Sequence, residues 1–598
     1  MQHRKGKQRV ASRGRLGKRG ALVLSVLALS AGVLPIASGA SSKVASDTTV
    51  TQGIVGVAPA YVFPVAPLSA PTSGTNSERF NWIMYLQLYQ FTNSGIDPAN
   101  SLADPPVYSD GNTVVTIHLK SFKWSDGTPV TARDIEFFYN LAKANKSQWS
   151  GYVEGQFPDN VTSLTAPNST TIVAHLNKAY NPIWYTDNEL SLWVALPQHA
   201  WDKTSLTGKI GNYDETTAGA LSVYKFLTAQ SSITSTYATS PLWKVVDGPW
   251  EIKSFQPTTG PDVFVPNPYY PNKPKIKEFI ETIYATDTSE FNALLAGNEI
   301  NIGTIPAEDL PQLSRLESNY TFNEAPLWHI GFDNLNYKNP TTGPIVSQLY
   351  VRQALQHLED LTGQANTYLD NEKAGYPSWG PIPPKPTPAY VSSVQSKDPY
   401  PFSVSAARTL LTSHGWTIPS SGPATCTKPG TAANECGAGI ASGAKLEFNF
   451  LYDTGQSFLT SEVANFKSDA AEAGVIFNVS SAPFQTVVGT FFGPASGWQM
   501  GTWNAEGYSG SDESPYPAAN WVNESTNYTS PELTKLANAT YTSSNGLAAI
   551  KAWDAYVTKN LPVLWTLTTY GLQVISKNLK GVVFAGSGFE NTTAWNFS

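Results

Sequence analysis

Cysteine, methionine and histidine are scarce: two, three and seven in 598 residues. The chain is therefore no cysteine-rich zinc domain, and its histidines show no ligand spacing. Charge is also low, at 14%, against about 25% for an average soluble domain. The balance is −7, with no basic patch in the body of the chain, which argues against nucleic acid as a partner. Beyond the N-terminus no stretch reaches the roughly 20 apolar residues of a membrane span. G-x-S-x-G, H-E-x-x-H, P-loop and G-x-G-x-x-G patterns are absent, so an enzyme reading has no positive support. What is plentiful is aromatic and loop-forming: 17 Trp, 28 Tyr, 26 Phe, 43 Pro and 45 Gly. At 41% hydrophobic the chain is too apolar for disorder. Its length implies about three or more domains, or two large lobes.

Residues 1–40 read as a signal peptide. Eight basic residues from Arg4 to Arg19, with no acid, precede the apolar run Ala21–Ala37, and Ser38-Gly39-Ala40 supplies a small-residue cleavage site. Removing those eight charges takes the balance from −7 to about −15. A lipid anchor needs a cysteine just after cleavage; Ser41 stands there. The expectation is an extracytoplasmic, secreted or periplasmic protein without a lipid-anchor cysteine. Export favours a disulfide between Cys426 and Cys436, and closing so short a loop adds about 2–3 kcal/mol.

Residues 41–60 read as a linker. The aromatic segment Phe80–Phe91 reads as a core helix or a cleft wall. Val115, Ile117 and Leu119 share one face of a half-buried strand. Thr131 and Asp134 form a capping box opening a helix over Ala132–Ala144. Two short strands flank Pro167-Asn168, and 203–245 read mostly as loop or weak helix. Strands follow from Trp250, at Asp262–Pro266 and at Phe279–Tyr284. Asp287 caps a helix over Ser289–Ala296, and a further helix covers Leu349–Leu361. Residues 375–401 hold eight prolines in an extended loop. Leu446–Tyr452, Phe458–Ala473 and Val475–Val479 form a strand–helix–strand unit of the kind that builds parallel sheets. The class is α/β. His329 reads as a packed or exposed residue, Glu359-Asp360 as a solvated helix face, and Asp512-Glu513 as a loop pair.

The run Phe122-Lys123-Trp124-Ser125-Asp126-Gly127-Thr128-Pro129-Val130-Thr131-Ala132-Arg133-Asp134-Ile135 resembles a signature of the family 5 extracellular solute-binding proteins, the peptide receptors of ABC importers. Further elements follow in that family's order: Asp247-Gly248-Pro249-Trp250, Asn267-Pro268-Tyr269-Tyr270, Ala293–Asn301, Val351-Arg352-Gln353-Ala354-Leu355, and Ser405–Leu411 with Gly415-Trp416. The similarity spans about residues 80–585.

The resemblance implies a type II periplasmic-binding-protein-like fold, in its large class with an extra subdomain. Lobe I takes 61–284, lobe II 285–565, and 566–598 return to lobe I, with crossing strands near 280–285 and 564–569. It implies an oligopeptide captured between closing lobes and delivered to an importer's membrane permease, by a monomer without cofactor, metal or catalysis. Oligosaccharide or nickel is the alternative cargo, and a secreted cell-wall hydrolase the alternative class. The ligand contacts implied are Tyr85, Asp333, Asn334, Trp503, Asn504, Glu506 and Asp512. Trp503 is the leading contact, and Glu506 or Asp512 stands in for the family's usual aspartate.

Overall fold

The computed structural model describes residues 48–598 apart from 56–60, 68–79, 81–82, 257–259, 298, 327, 370–371, 455–456, 504, 508–526, 586–587 and 590. The signal peptide reading lies outside these residues.

The first described segment is not a linker. Strand β1 (Thr49–Val55) lies inside a sheet, hydrogen-bonded in parallel to a later strand over its whole length. Its β-branched run T-V-T-Q-G-I-V suits such a half-buried position. Next comes a small antiparallel sheet of β2 (Val107–Ser109), β3 (Val114–His118), β4 (Val161–Asn168) and β5 (Thr171–Leu176), ordered β2-β3-β5-β4, with α1 (Ala132–Ala144) between β3 and β4 in the chain. Helix α2 (Thr217–Ser231) is a full 15 residues where weak structure was expected; Thr216 caps it by accepting from the Gly219 amide.

Strands β6 (Trp250–Ser254), β7 (Asp262–Pro266) and β8 (Glu278–Tyr284) follow. Helix α3 (Asp287–Ala296) is capped by Thr286 rather than Asp287, and left-handed Gly297 ends it. After β9 (Ile302–Ile305) and β10 (Tyr320–Asn323), this first sheet is complete once the chain's end adds β19 (Leu572–Ser576), in the order β10-β19-β9-β1-β8-β7-β6.

The chain then enters a second sheet at β11 (His329–Leu335). Helix α4 (Leu349–Gln356) stops before Leu361, because Asp360 caps a separate helix α5 (Leu361–Tyr368) by accepting from the Gly363 amide. Strand β12 (Gly375–Pro377), helix α6 (Val404–Ser413), β13 (Glu447–Asp453), α7 (Ser457–Glu472), β14 (Ile476–Ala482), β15 (Met500–Thr502) and β16 (Ala505–Gly507) lead to two long helices, α8 (Pro531–Thr542) and α9 (Gly546–Asn560). The second sheet runs β14-β13-β15-β11-β16, and β17 (Leu564–Trp565) also pairs with β11. β13–α7–β14 is the anticipated crossover unit, its strands parallel from Glu447↔Ile476 to Asp453↔Ala482. Strand β18 (Leu567–Thr569) pairs with β12, and β19 (Leu572–Ser576) returns to the first sheet.

The chain thus passes between the sheets twice, from Asn323 to His329 and from Trp565 to Leu572. The expected first crossing at 280–285 is corrected. Those residues belong to β8, an interior strand with β1 on one side and β7 on the other, and two more strands of the same sheet follow before the chain leaves it. An alternating apolar run reads alike in a crossing strand and in a sheet interior, so the pattern could not separate them.

The signature motifs are scaffold. Asp134 is buried; its carboxylate accepts from the Thr131 amide at 2.8 Å, from the Gln198 amide at 3.1 Å and from Trp124 Nε1 at 3.4 Å. Leu86 N–H donates to Asp247 Oδ1 at 3.0 Å, and Asn267 Nδ2 donates to the Gly248 carbonyl at 2.9 Å. A Cβ on Gly248 would lie 2.4 Å from the Ile83 carbonyl oxygen, so the close approach demands glycine. These bonds also explain why 83–91 is irregular rather than helical: its backbone is satisfied by neighbours, as in Leu88 N to Trp193 O at 2.7 Å. The disulfide Cys426–Cys436 is formed, and both residues are buried in the second sheet's core.

Candidate functional site

The two passages lie side by side and are tied together. Gly331 N–H donates to Thr568 Oγ1 at 2.9 Å, Thr566 N–H to the Gly331 carbonyl at 3.1 Å, and His329 Nε2 pairs with the Thr569 carbonyl at 3.0 Å. A Cβ at Gly331 would fall 2.1 Å from the Leu567 carbonyl oxygen, so only glycine lets the strands approach this closely. His329 is thus a structural partner of the second passage, and burial lowers its pKa.

Helix α4 anchors the second passage. Arg352 donates through Nε and one terminal nitrogen to the Asn560 carbonyl at 3.0 and 2.9 Å, and through the other to the Val346 carbonyl at 2.7 Å. Its guanidinium lies over the rings of Tyr337 and Tyr528, 5.6 and 5.7 Å from their centroids. One turn on, Gln356 makes a reciprocal pair with the Trp565 backbone, at 2.8 and 2.9 Å. The V-R-Q-A-L element therefore fixes where the chain begins to cross.

Three acids lie buried nearby: Asp333 on β11, Glu359 before α5 and Glu462 on α7. Burial is the main cause raising all three pKa values, and Glu462 is pushed up to about 7. Repulsion adds to it, from Glu462 on Asp333 and from Asp333, Glu462 and Asp469 on Glu359. Glu462 Oε1 accepts from the Leu567 amide at 3.1 Å, so a buried acid holds the second passage. The solvated reading of Glu359 is corrected: α4 ends early, and the following turn carries Glu359 inward while Asp360 caps α5. Glu462 was not singled out by sequence, because an acid on a helical pattern gives no sign of facing inward.

The anticipated contacts fall in three groups. Trp503 directly follows β15 and packs against Phe491, Phe492 and Phe332 with ring centroids 5.5, 6.2 and 6.2 Å away. Asp333 and Asn334 are both buried; Asp333 sits opposite Leu564 and Asn334 opposite Gly501. Glu506 lies on β16 with its backbone opposite Ile330. Trp503, Asp333, Asn334 and the Glu506 backbone therefore meet around β11. Tyr85 is apart from them, buried in the first core with its ring 5.3 Å from Trp201. Asn504 and Asp512 lie outside the described residues, as do Glu513 and the Glu506 side chain.

The model of the bacterial extracellular solute-binding proteins, family 5 (middle), matches residues 97–529. Protein XP55 of Streptomyces lividans is 23% identical over 425 residues, 71% of this chain, and the chain covers 65% of that relative's length. Among solved structures, the oligopeptide-binding protein AppA from Bacillus subtilis, in complex with a nonapeptide, is similar at TM-score 0.69 and 15% identity, over 92% of this chain and 99% of that one. NikZ from Campylobacter jejuni, in complex with Ni(L-His), is similar at TM-score 0.65 and 18% identity, over 92% and 100%. These likenesses establish the two-lobe periplasmic-binding-protein fold.

Proposed function

The chain belongs to the bacterial extracellular solute-binding proteins, family 5, and from that premise we propose that it captures oligopeptides between its lobes and delivers them to the membrane permease of an ABC-type importer. The observation that carries the reading is the pair of tied passages that connects two distinct sheets. A short paired connection lets two rigid bodies close by small backbone changes, and free energy for closure comes from ligand contacts made only in the closed state. A peptide offers its backbone to hydrogen bonds common to all sequences. An aromatic wall such as Trp503 with Phe491 and Phe492 adds apolar area that tolerates varied side chains.

In this reading lobe I runs to residue 323 and regains the chain at 572, and β11 to β17 belong to lobe II. The role is binding without catalysis, by a monomer exported by its leader. No helix among the described residues is long and apolar enough to cross a membrane. Isothermal titration with pooled di- to hexapeptides is expected to give saturable heat; silence from every pool would remove the peptide assignment. The likeness to NikZ favours nickel–histidine as the second reading, which predicts binding only when nickel is added.

A further inference from the structure

A cavity of about 550 Å³ lies apart from β11, where the small four-stranded sheet meets the proline-rich loop. Its walls come from residues 93–96, 106–108 and 182–187, which precede the first passage, and from 386–390, which follow it. In the lobe assignment proposed above, both lobes contribute. The lining is mostly apolar and stiff: Ile183, Pro386, Pro388 and the rings of Tyr108 and Tyr390. Ile183 is 58% exposed although it is a large aliphatic residue.

Among the described residues one charged side chain faces this cavity, Asp187, with 6% of its surface exposed. It sits in a single π-helical turn, Tyr185–Glu189, that interrupts the helical geometry after Pro182–Trp184. Such turns insert an extra residue and recur at functional sites. The neighbouring Thr186 hydroxyl is taken up by Tyr108 at 2.8 Å. Among the described residues, no hydrogen bond or ion pair reaches the Asp187 carboxylate, and no lysine, arginine or histidine lines the cavity. Burial alone pushes its pKa up to about 8; the titratable groups facing it are the phenols of Tyr108 and Tyr390. A buried carboxylate without a partner is costly, and the described residues offer this one none.

We propose that this cavity is a binding subsite for an organic cation on an aliphatic stem, the ammonium or guanidinium meeting Asp187 and the stem lying between the prolines and the tyrosine rings. Tyrosine faces attract a cation as well as packing its stem, and the volume is that of a small-ligand site. The source of such a group rests on the peptide reading: it is a lysine or arginine side chain of the cargo. Gripping it from both lobes couples a basic residue to closure. Because the empty site holds a proton on Asp187 below about pH 8, the cation displaces that proton on binding.

The test titrates the full chain calorimetrically with Nα-acetyl-lysine-N-methylamide, the arginine analogue and the uncharged norleucine analogue. The lysine and arginine probes are expected to bind at least tenfold more tightly than norleucine at pH 8.5. Their affinity is expected to fall roughly 25-fold from pH 8.5 to 6.5, from a carboxyl near 8, with proton release at the lower pH. Asp187→Asn, checked for an unchanged melting temperature, is expected to erase both the preference and the pH dependence. Equal binding of lysine and norleucine, pH-independent affinity, or no binding of any probe would overturn the proposal. The wild-type pH profile decides even if the variant folds poorly. Uncharged peptide pools test the capture reading separately, so the two can fail independently.

Discussion

Replacing Glu462 by glutamine tests whether a buried acid works against the fold at the second passage. The wild-type carboxyl titrates near 7 rather than at its ordinary 4.5, and burial is the cause. The folded state therefore binds the proton more tightly than the unfolded chain, so stability is fully present below about 4.5 and is lost as pH rises through about 7. At about 1.36 kcal/mol per pKa unit, the gap amounts to about 3 kcal/mol at alkaline pH. Glutamine preserves the volume and an oxygen to accept from the Leu567 amide, now 3.1 Å away, and it cannot ionise. It also relieves the repulsion that raises Asp333 and Glu359. Urea unfolding at pH 5 and pH 8.5 is the assay. The variant should exceed wild type by about 1 kcal/mol at pH 5, where the unfolded chain's carboxyl is already mostly ionised, and by up to about 3 kcal/mol at pH 8.5. A stability difference that is the same at both pH values, or a loss at pH 8.5, would show that the buried acid does not oppose folding.

Arg352→Met keeps the aliphatic stem but removes all three bonds to the Val346 and Asn560 carbonyls. Buried acceptors left unpaired cost about 1–3 kcal/mol each, so denaturant unfolding should show a loss of about 3 kcal/mol; a loss below about 0.5 kcal/mol would mean the anchor is idle. Changing Cys426 and Cys436 together to alanine opens a loop of sequence separation 10; chain entropy sets the loss at about 3 kcal/mol, read as a lower urea midpoint. An unchanged midpoint would contradict it. Asp134→Ala removes the acceptor shared by Thr131, Gln198 and Trp124; a melting-curve loss of about 2–4 kcal/mol is expected from a buried cap with further partners, and a loss under about 0.5 kcal/mol would mean it carries no such load.

The sequence was most legible where chemistry is local. The capping box at Thr131 and Asp134, the crossover unit and the short disulfide loop each follow from residues close in the chain. The family signatures were recognisable because Asp134, Gly248, Asn267 and Arg352 make bonds that few other residues could make. Those residues build the scaffold, so recognising them locates the fold without locating the cargo. The central position of Thr49–Val55, the true first passage and the burial of Glu359 and Glu462 depend on strand order and helix facing. Such long-range pairings leave no local pattern. Gly331 is an intermediate case: a lone glycine inside an apolar strand run signals close backbone approach, but not which backbone approaches. Asp187 gave no signal, since its position depends on one π turn and on a loop two hundred residues away.

Capture of peptides between two lobes leaves its cargo in the protein, and mass spectrometry of whatever the full chain retains through native purification reads that cargo out. A heterogeneous set of short peptides, near one per protein molecule, is expected on denaturation. A released oligosaccharide, or nickel with histidine and no peptide, would contradict peptide capture.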